Sequence, residues 1–139
     1  MRGWLFWGLL GLAGCAQPPA QGDSLYRALG EQAGIGRIVE GMLLNIADDP
    51  RIVRHFTNID IQRLRDKLVE QFCVEAGGPC VYSGDSMEES HKGQQLTRGD
   101  FNALVENLQA AMSAEGVPIP VQNRLLARLA PMRGQIIER

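Results

Sequence analysis

The sequence has few of the side chains on which most catalytic and metal sites depend. Its 139 residues include only two histidines, His55 and His91, and three cysteines. Neither histidine lies near a serine or cysteine in the setting of a known nucleophile, and no G-x-x-x-x-G-K loop is present to bind phosphate. The cysteines at 73 and 80 do not form the C-x-x-C pattern of redox or zinc sites. Hydrolysis, nucleotide binding and a zinc site are therefore not expected.

An excess of charge of one sign is also missing. The chain contains 14 Lys and Arg against 16 Asp and Glu, which gives a formal charge of −2 at pH 7. Nucleic acids select strongly basic surfaces, so this balance argues against a nucleic-acid partner. The hydrophobic fraction of 45% is sufficient for a globular core, and the length suits a single domain.

The longest apolar run lies at the N-terminus and is too short to cross a bilayer, which takes roughly 20 residues. MRGWLFWGLLGLAGC has a positive start, an apolar stretch and a small-residue end, as secretory signal peptides do. Its last four residues, Leu12-Ala13-Gly14-Cys15, resemble the lipobox of bacterial lipoproteins. We therefore expect a signal peptide over 1–14, lipidation of Cys15 and a tether over 15–23. The alternative is an ordinary signal peptide with an unrelated cysteine.

This N-terminus predicts an exported protein whose membrane contact is its N-terminal lipid. Ala16 is not the aspartate that retains many lipoproteins in the inner membrane, so the resemblance implies the outer membrane, facing the periplasm. Disulfides persist in that oxidising space. The reversal at Gly77-Gly78-Pro79 could bring Cys80 back to Cys73, within reach of a disulfide. Two separately buried thiols are the alternative.

The apolar spacing beyond the tether is helical, with no strand pattern. It predicts a short helix over SLYRALGE capped by Ser24, and longer helices over about 34–48, 60–75 and 120–137. Another helix should begin after Thr97, which with Asp100 has the sequence of a capping box. Pro131 should bend the last helix.

One segment, from Val81 to Gln95, has weak periodicity and predicts an irregular connector with at most a short helix. It contains His91, and long irregular connectors in compact domains are often functional. A single histidine suffices for a haem site, because the porphyrin supplies four nitrogen ligands and the protein need supply only one axial imidazole. The apolar stripes of the neighbouring helices could line a slot for haem, although such stripes more commonly form an ordinary core.

Several segments resemble the group 1 truncated haemoglobins, in order and from Ser24 to about Ile137. They are SLYRALG, IADDPRIVRHF, FCVEAGGPCVYSGDSMEESHKG, LTRGDF and GVP. The resemblance implies an all-α fold in which a two-over-two helical sandwich surrounds one haem b, with the globin domain at 24–139. The first glycine motif departs from the family pattern, since Glu31 follows Gly30 where a second glycine is common.

The resemblance also implies roles for individual residues. His91, in the Met-x-x-x-His motif that begins at Met87, is the proximal iron ligand. Phe56 packs against the porphyrin. Apart from the resemblance, the neighbouring His55 lies on the turn and is expected to face solvent. Lys67 and Tyr82 match positions that reach the haem propionates, where a cation or a donor suits the negative charge.

The distal positions depart from the family pattern. Its best-studied members carry Tyr at the position of Leu43 and Gln at the position of Leu68, and both side chains donate hydrogen bonds to bound oxygen. Leucine cannot donate, and Leu64 is a third apolar side chain facing the ligand. Each lost bond to a charged acceptor is worth about 1.5–3 kcal/mol. Gln71, one turn beyond Leu68, is the nearest polar side chain and would have to turn inward.

These features together imply a haem protein that reversibly binds oxygen, carbon monoxide or nitric oxide, more a gas-binding protein than an enzyme. One alternative is a haem enzyme that detoxifies nitric oxide or peroxide. It would need an electron donor, which the sequence does not identify, and for peroxide a distal acid–base group. The other alternative is a haem-free helical lipoprotein that only binds partners.

Overall fold

The computed structural model describes residues 24–138, so the predicted signal peptide, Cys15 and the tether lie outside the described residues. Every regular element of the described part is a helix, and none is a strand. No helix within it combines the length and the apolar character needed to cross a membrane. The elements are α1 (Ser24–Ala28), α2 (Glu31–Ala47), a 3-10 turn (Val53–Phe56), α3 (Ile61–Glu75), α4 (Met87–His91), α5 (Arg98–Ala114), α6 (Ile119–Leu129), a second 3-10 turn (Ala130–Met132) and α7 (Arg133–Ile136).

The long helices form two layers of two. Helices α2 and α3 pack against each other, as do α5 and α6, while α2 also contacts α5 and α3 contacts α6. The short helix α4 lies in the connector between α3 and α5 and contacts α7. The connector therefore runs along the edge of the sandwich and carries His91 to it.

Helix α2 contributes the largest share of the core. Its buried apolar side chains are Ile35, Ile38, Val39, Met42 and Ile46. Three glycines, Gly34, Gly36 and Gly41, reduce its intrinsic stability by up to about 1 kcal/mol each. A Cβ added at Gly41 would lie 3.4 Å from the Cβ of Ala111 on α5, so this glycine permits close contact between the two helices. Packing thus compensates for the low helix propensity.

The start of the domain differs from the predicted single helix over SLYRALGE. Helix α1 ends at Ala28, because Gly30 and Glu31 both have left-handed backbones, with φ of 90° and 61°. Glu31 therefore occupies a conformation that favours glycine, at a cost of order 1 kcal/mol. The prediction that Ser24 caps the helix was wrong. Ser24 is the first helical residue, and its hydroxyl accepts a hydrogen bond from Arg124 of α6 at 2.7 Å.

The two sequence signals at the later helices are confirmed. The Thr97 hydroxyl accepts a hydrogen bond from the backbone N–H of Asp100, and the Asp100 carboxylate accepts one from the backbone N–H of Thr97, both at 3.0 Å. The predicted last helix is interrupted at Pro131, where a 3-10 turn separates α6 from α7. Proline lacks an N–H and its ring clashes with the preceding turn, which explains the interruption.

Candidate functional site

His91 is the last residue of α4 and is half-buried. The Ser86 hydroxyl caps this short helix by accepting a hydrogen bond from the backbone N–H of Glu89 at 3.1 Å. The Nδ1 atom of His91 lies 2.7 Å from the carbonyl oxygen of Met87, one turn earlier. A carbonyl can only accept, so Nδ1 carries the proton and the Nε2 lone pair is available. The ring has the tautomer and the fixed orientation of a metal ligand.

The surroundings of His91 do not provide a conventional metal site. Within residues 24–138, no group of three or more His, Cys, Asp or Glu side chains could hold a metal ion. An ion bound at His91 would therefore need a prosthetic group that brings its own donor atoms. Haem meets this requirement, because its iron needs only one or two axial ligands from the protein.

The predicted distal side chains come from two adjacent helices. Leu43 lies on α2, while Leu64 and Leu68 lie one turn apart on α3, which packs against α2. All three are half-buried, as is Phe56 at the end of the first 3-10 turn. Leu43, Phe56 and Leu68 each contact the hydrophobic core and retain exposed apolar surface. These side chains can pack against a flat apolar group, and none of them can donate a hydrogen bond.

Next to α4 lies a cavity of about 200 Å³, into which Gln71 turns. Gln71 is only 9% exposed, and its Nε2 atom lies 3.0 Å from the sulfur of Met87 and 3.2 Å from that of Met132. Thioether sulfurs are weak acceptors, so the amide is held loosely. The Gln71 side chain is thus buried and directed towards α4 and Met132. The cavity is lined by Gln71, Val74, Glu75, Tyr82, Ser86, Met87 and Met132.

The two residues expected at the propionates have protein partners. The Lys67 ammonium donates to the hydroxyl of Ser83 at 2.5 Å and lies 3.6 Å from Glu70. The Tyr82 hydroxyl donates to the backbone carbonyl of Asp85 at 2.6 Å, and burial raises the pKa of this phenol. A bound carboxylate would compete with these partners for both donors.

Glu70, on α3 beside Lys67 and Ser83, is a residue of this region that the sequence analysis did not identify. The backbone N–H of Ser83 donates to its carboxylate at 2.9 Å, and this bond, the Ser83 hydroxyl and nearby Lys67 lower the pKa of Glu70. The carboxylate thus stays charged and ties α3 to the connector. No sequence motif marks it, because its partner lies 13 residues away.

His55 does not face solvent as predicted. Its side chain is only 18% exposed, and its Nε2 atom lies 3.2 Å from the carboxylate of Asp100, which also accepts from Arg54 at 3.1 Å. The contact links the turn that carries Phe56 to the start of α5. The error arose because the partner lies 45 residues away, beyond the reach of local patterns.

Cys73 and Cys80 are joined by a disulfide in the structure, with their Cα atoms 5.9 Å apart. The turn between them depends on Gly78, where an added Cβ would lie 2.6 Å from the Cys73 sulfur and 2.5 Å from the ring of Tyr26. No larger residue fits without rearrangement. The bond connects the end of α3 to the segment leading to α4.

Comparison with known proteins gives consistent matches over the described domain. The sequence profile of the family described as bacterial-like globin matches residues 24–138. A group 1 truncated hemoglobin, GlbN, from Mycolicibacterium paratuberculosis is 30% identical over 117 residues, which cover 84% of this chain and 86% of that protein. The GlbN of Nostoc commune is 28% identical over 117 residues, covering 84% of this chain and 99% of that protein.

Solved structures agree with the sequence matches. The ferric truncated hemoglobin of Tetrahymena pyriformis superposes with a TM-score of 0.80 at 27% identity, covering 83% of this chain and 98% of that one. The 2/2 hemoglobin of a Synechococcus species, crystallised with covalently attached heme, superposes with a TM-score of 0.76 at 24% identity, again covering 83% of this chain and 98% of that one. At 24% identity, the match to the Synechococcus structure is evidence for the fold alone. Both superpositions agree with the helical fold of the described domain.

Proposed function

The chain belongs to the bacterial-like globin family as a group 1 truncated haemoglobin, and we propose that it holds one haem b through His91 and reversibly binds small gases at the iron. The observation that carries the proposal is the hydrogen bond from Nδ1 of His91 to the Met87 carbonyl, which leaves Nε2 available. Imidazole with this second partner is the axial ligand that haem proteins commonly use.

The residues present fit a haem. Half-buried apolar side chains on α2, α3 and the turn at Phe56 offer packing surface for a flat apolar group. Lys67 and Tyr82 would give up their present partners, Ser83 and the Asp85 carbonyl, to bind the propionates. When bound, haem supplies an iron centre that takes up oxygen, carbon monoxide or nitric oxide.

The chain's own residues favour gas binding over catalysis. Leu43, Leu64 and Leu68 exclude water from the distal side and provide no proton donor or acceptor. Peroxide cleavage would need a distal acid–base group, and Gln71 is directed instead at the sulfurs of Met87 and Met132. A ligand beside these leucines would receive no hydrogen bond from them, so oxygen would be released quickly and carbon monoxide would be relatively favoured.

An absorption spectrum of the purified protein tests the proposal. We expect a red protein with one haem per chain, a Soret band, and a ferrous spectrum after dithionite reduction that changes on adding carbon monoxide. A colourless protein that does not take up added haemin would refute haem binding and favour the haem-free helical lipoprotein.

We also propose export and lipidation at Cys15, with the globin domain held on a tether of residues 15–23 at the periplasmic face of the outer membrane. The support is the sequence pattern of residues 1–16. A lipid chain provides the membrane affinity, which a second contact would strengthen. The Cys73–Cys80 pair suits the same oxidising compartment.

A further inference from the structure

Charge is unevenly distributed over this nearly neutral domain. From Gly116 to Ile137 the sequence contains three arginines and no Asp or Glu. From Glu70 to Ser90, around the connector that leads to His91, it contains five acidic residues and no Lys or Arg. The helices α6 and α7 are therefore basic, and the wall that carries α4 is acidic.

The arginines of α6 are accessible. Arg124 and Arg128 lie one turn apart on the exposed side of α6, and neither forms an ion pair with a described carboxylate. Other arginines of the domain do form such pairs, for example Arg37 with Glu115 at 3.0 Å.

This face lies where the tether enters the domain. The guanidinium of Arg124 donates to the hydroxyl of Ser24, the first described residue, at 2.7 Å, and α1 contacts α6. Only residues 16–23 separate Ser24 from Cys15. Such a tether reaches at most about 30 Å when extended, and about 17 Å on average when flexible. A lipid on Cys15 would therefore hold α1 and α6 closer to the bilayer than the rest of the domain.

We propose that the exposed face of α6 that carries Arg124 and Arg128 docks on the anionic surface of the membrane that carries the lipid anchor. This inference depends on the lipidation proposed above. An arginine near an anionic bilayer improves binding about fivefold, so the pair shifts the ratio of docked to free domain about 25-fold. The same anionic surface repels the acidic wall around α4, so docking through α6 is favoured over docking through α4.

Hydrogen–deuterium exchange on vesicles tests this docking. The mature exported protein, carrying haem, is bound to vesicles of phosphatidylcholine alone or of phosphatidylcholine with phosphatidylglycerol. We expect the backbone amides of residues 119–129 to exchange more slowly on the anionic vesicles only. The double variant Arg124→Gln, Arg128→Gln should lose this protection, and raised salt should weaken it in the wild type.

A matched control distinguishes an effect of the α6 arginines from an effect of the protein's net charge. Lys92→Gln with Arg98→Gln removes the same charge from two exposed residues outside α6 and should keep the protection. Equal exchange of 119–129 on both vesicle types, or equal loss of protection in both double variants, would overturn the proposal.

Flotation distinguishes the lipid anchor from the docking of α6, because a lipidated protein floats with both vesicle types. Failure to float with phosphatidylcholine vesicles refutes the anchor, whereas flotation without protection refutes the docking. Circular dichroism establishes that each variant is folded.

Discussion

The Nδ1 atom of His91 and the carbonyl oxygen of Met87 lie 2.7 Å apart, across a single turn of α4. This hydrogen bond orients the imidazole before any ligand is bound. A five-residue helix is marginal on its own. The cap at Ser86, the contact of Gln71 with Met87, and the packing of α4 on α7 therefore maintain the orientation.

Replacing His91 tests its role as the proximal ligand. We expect His91→Ala to abolish stoichiometric haem binding, because no other described side chain at the slot offers an imidazole. His55→Ala is the control and should keep one haem per chain, since His55 is engaged with Asp100. Haem content is measured by the pyridine haemochrome assay. A His91 variant with full haem content and an unchanged spectrum would contradict the assignment.

Replacing Leu43 tests the apolar distal side. We expect Leu43→Tyr to slow oxygen release by at least about tenfold, because the phenol would donate a hydrogen bond to the bound ligand. The measurement is oxygen dissociation by stopped-flow mixing of the ferrous protein. Gln71→Leu should leave the rate nearly unchanged, because the Gln71 amide is directed at Met87 and Met132. A tenfold faster release in Gln71→Leu would show instead that Gln71 bonds the ligand.

The disulfide can be tested by mass spectrometry. Protein prepared from the periplasmic side should resist alkylation at Cys73 and Cys80 until it is reduced. In the chain-entropy model a loop this short contributes about 2.5 kcal/mol to stability. Cys73→Ser with Cys80→Ser should therefore lower the unfolding free energy by about that amount in urea. Alkylation of both cysteines without reduction would rule out the bond.

Asp100 should make part of the domain's stability depend on pH. The backbone N–H of Thr97 and, to a lesser degree, its hydroxyl and the neighbouring His55 and Arg54 side chains lower the pKa of this carboxyl from its usual 3.8. A lowered folded-state pKa gives stability that is complete above pH 3.8 and is lost as the pH falls through the lower folded value.

The variant Asp100→Asn tests this pH dependence. At neutral pH we expect it to lower the unfolding free energy by on the order of 1 kcal/mol. The difference from the wild type should shrink in acid. Asp85→Asn, at an exposed position whose backbone carbonyl rather than side chain accepts from Tyr82, should have little effect at neutral pH. The difference in unfolding free energy between the wild type and Asp100→Asn is measured by urea titration at several pH values. If it stayed constant from neutral to acid pH, the charge of Asp100 would not be the source of the lost stability.

Lipidation is tested by fractionation. The wild type should sediment with membranes and carry an acyl chain on Cys15, detected by incorporation of labelled palmitate. Cys15→Ser should be released from the membrane or accumulate with its signal peptide. Recovery of the wild type entirely in the soluble periplasmic fraction would exclude the anchor.

Local signals were sufficient for much of the fold. The helical spacing of apolar residues predicted the long helices, and the Thr97–Asp100 pair and Pro131 predicted where two of them begin or break. These predictions depend on residues within four positions of one another. They failed at α1, where the left-handed backbone at Gly30 and Glu31 ends the helix earlier than the apolar pattern indicated.

The candidate site likewise combines features that local sequence signals predict with features that they do not. The sequence by itself determined the family, the all-α fold and the motif that contains His91, because each is encoded in short runs of neighbouring residues. Only the tertiary structure decided that His55 is tied to Asp100, that Gln71 turns towards Met87 and Met132, and that Glu70 holds the connector through Ser83. Those contacts join residues 13 to 61 positions apart. Such pairs meet only when helices pack, and packing selects partners by shape and burial, which no local pattern records.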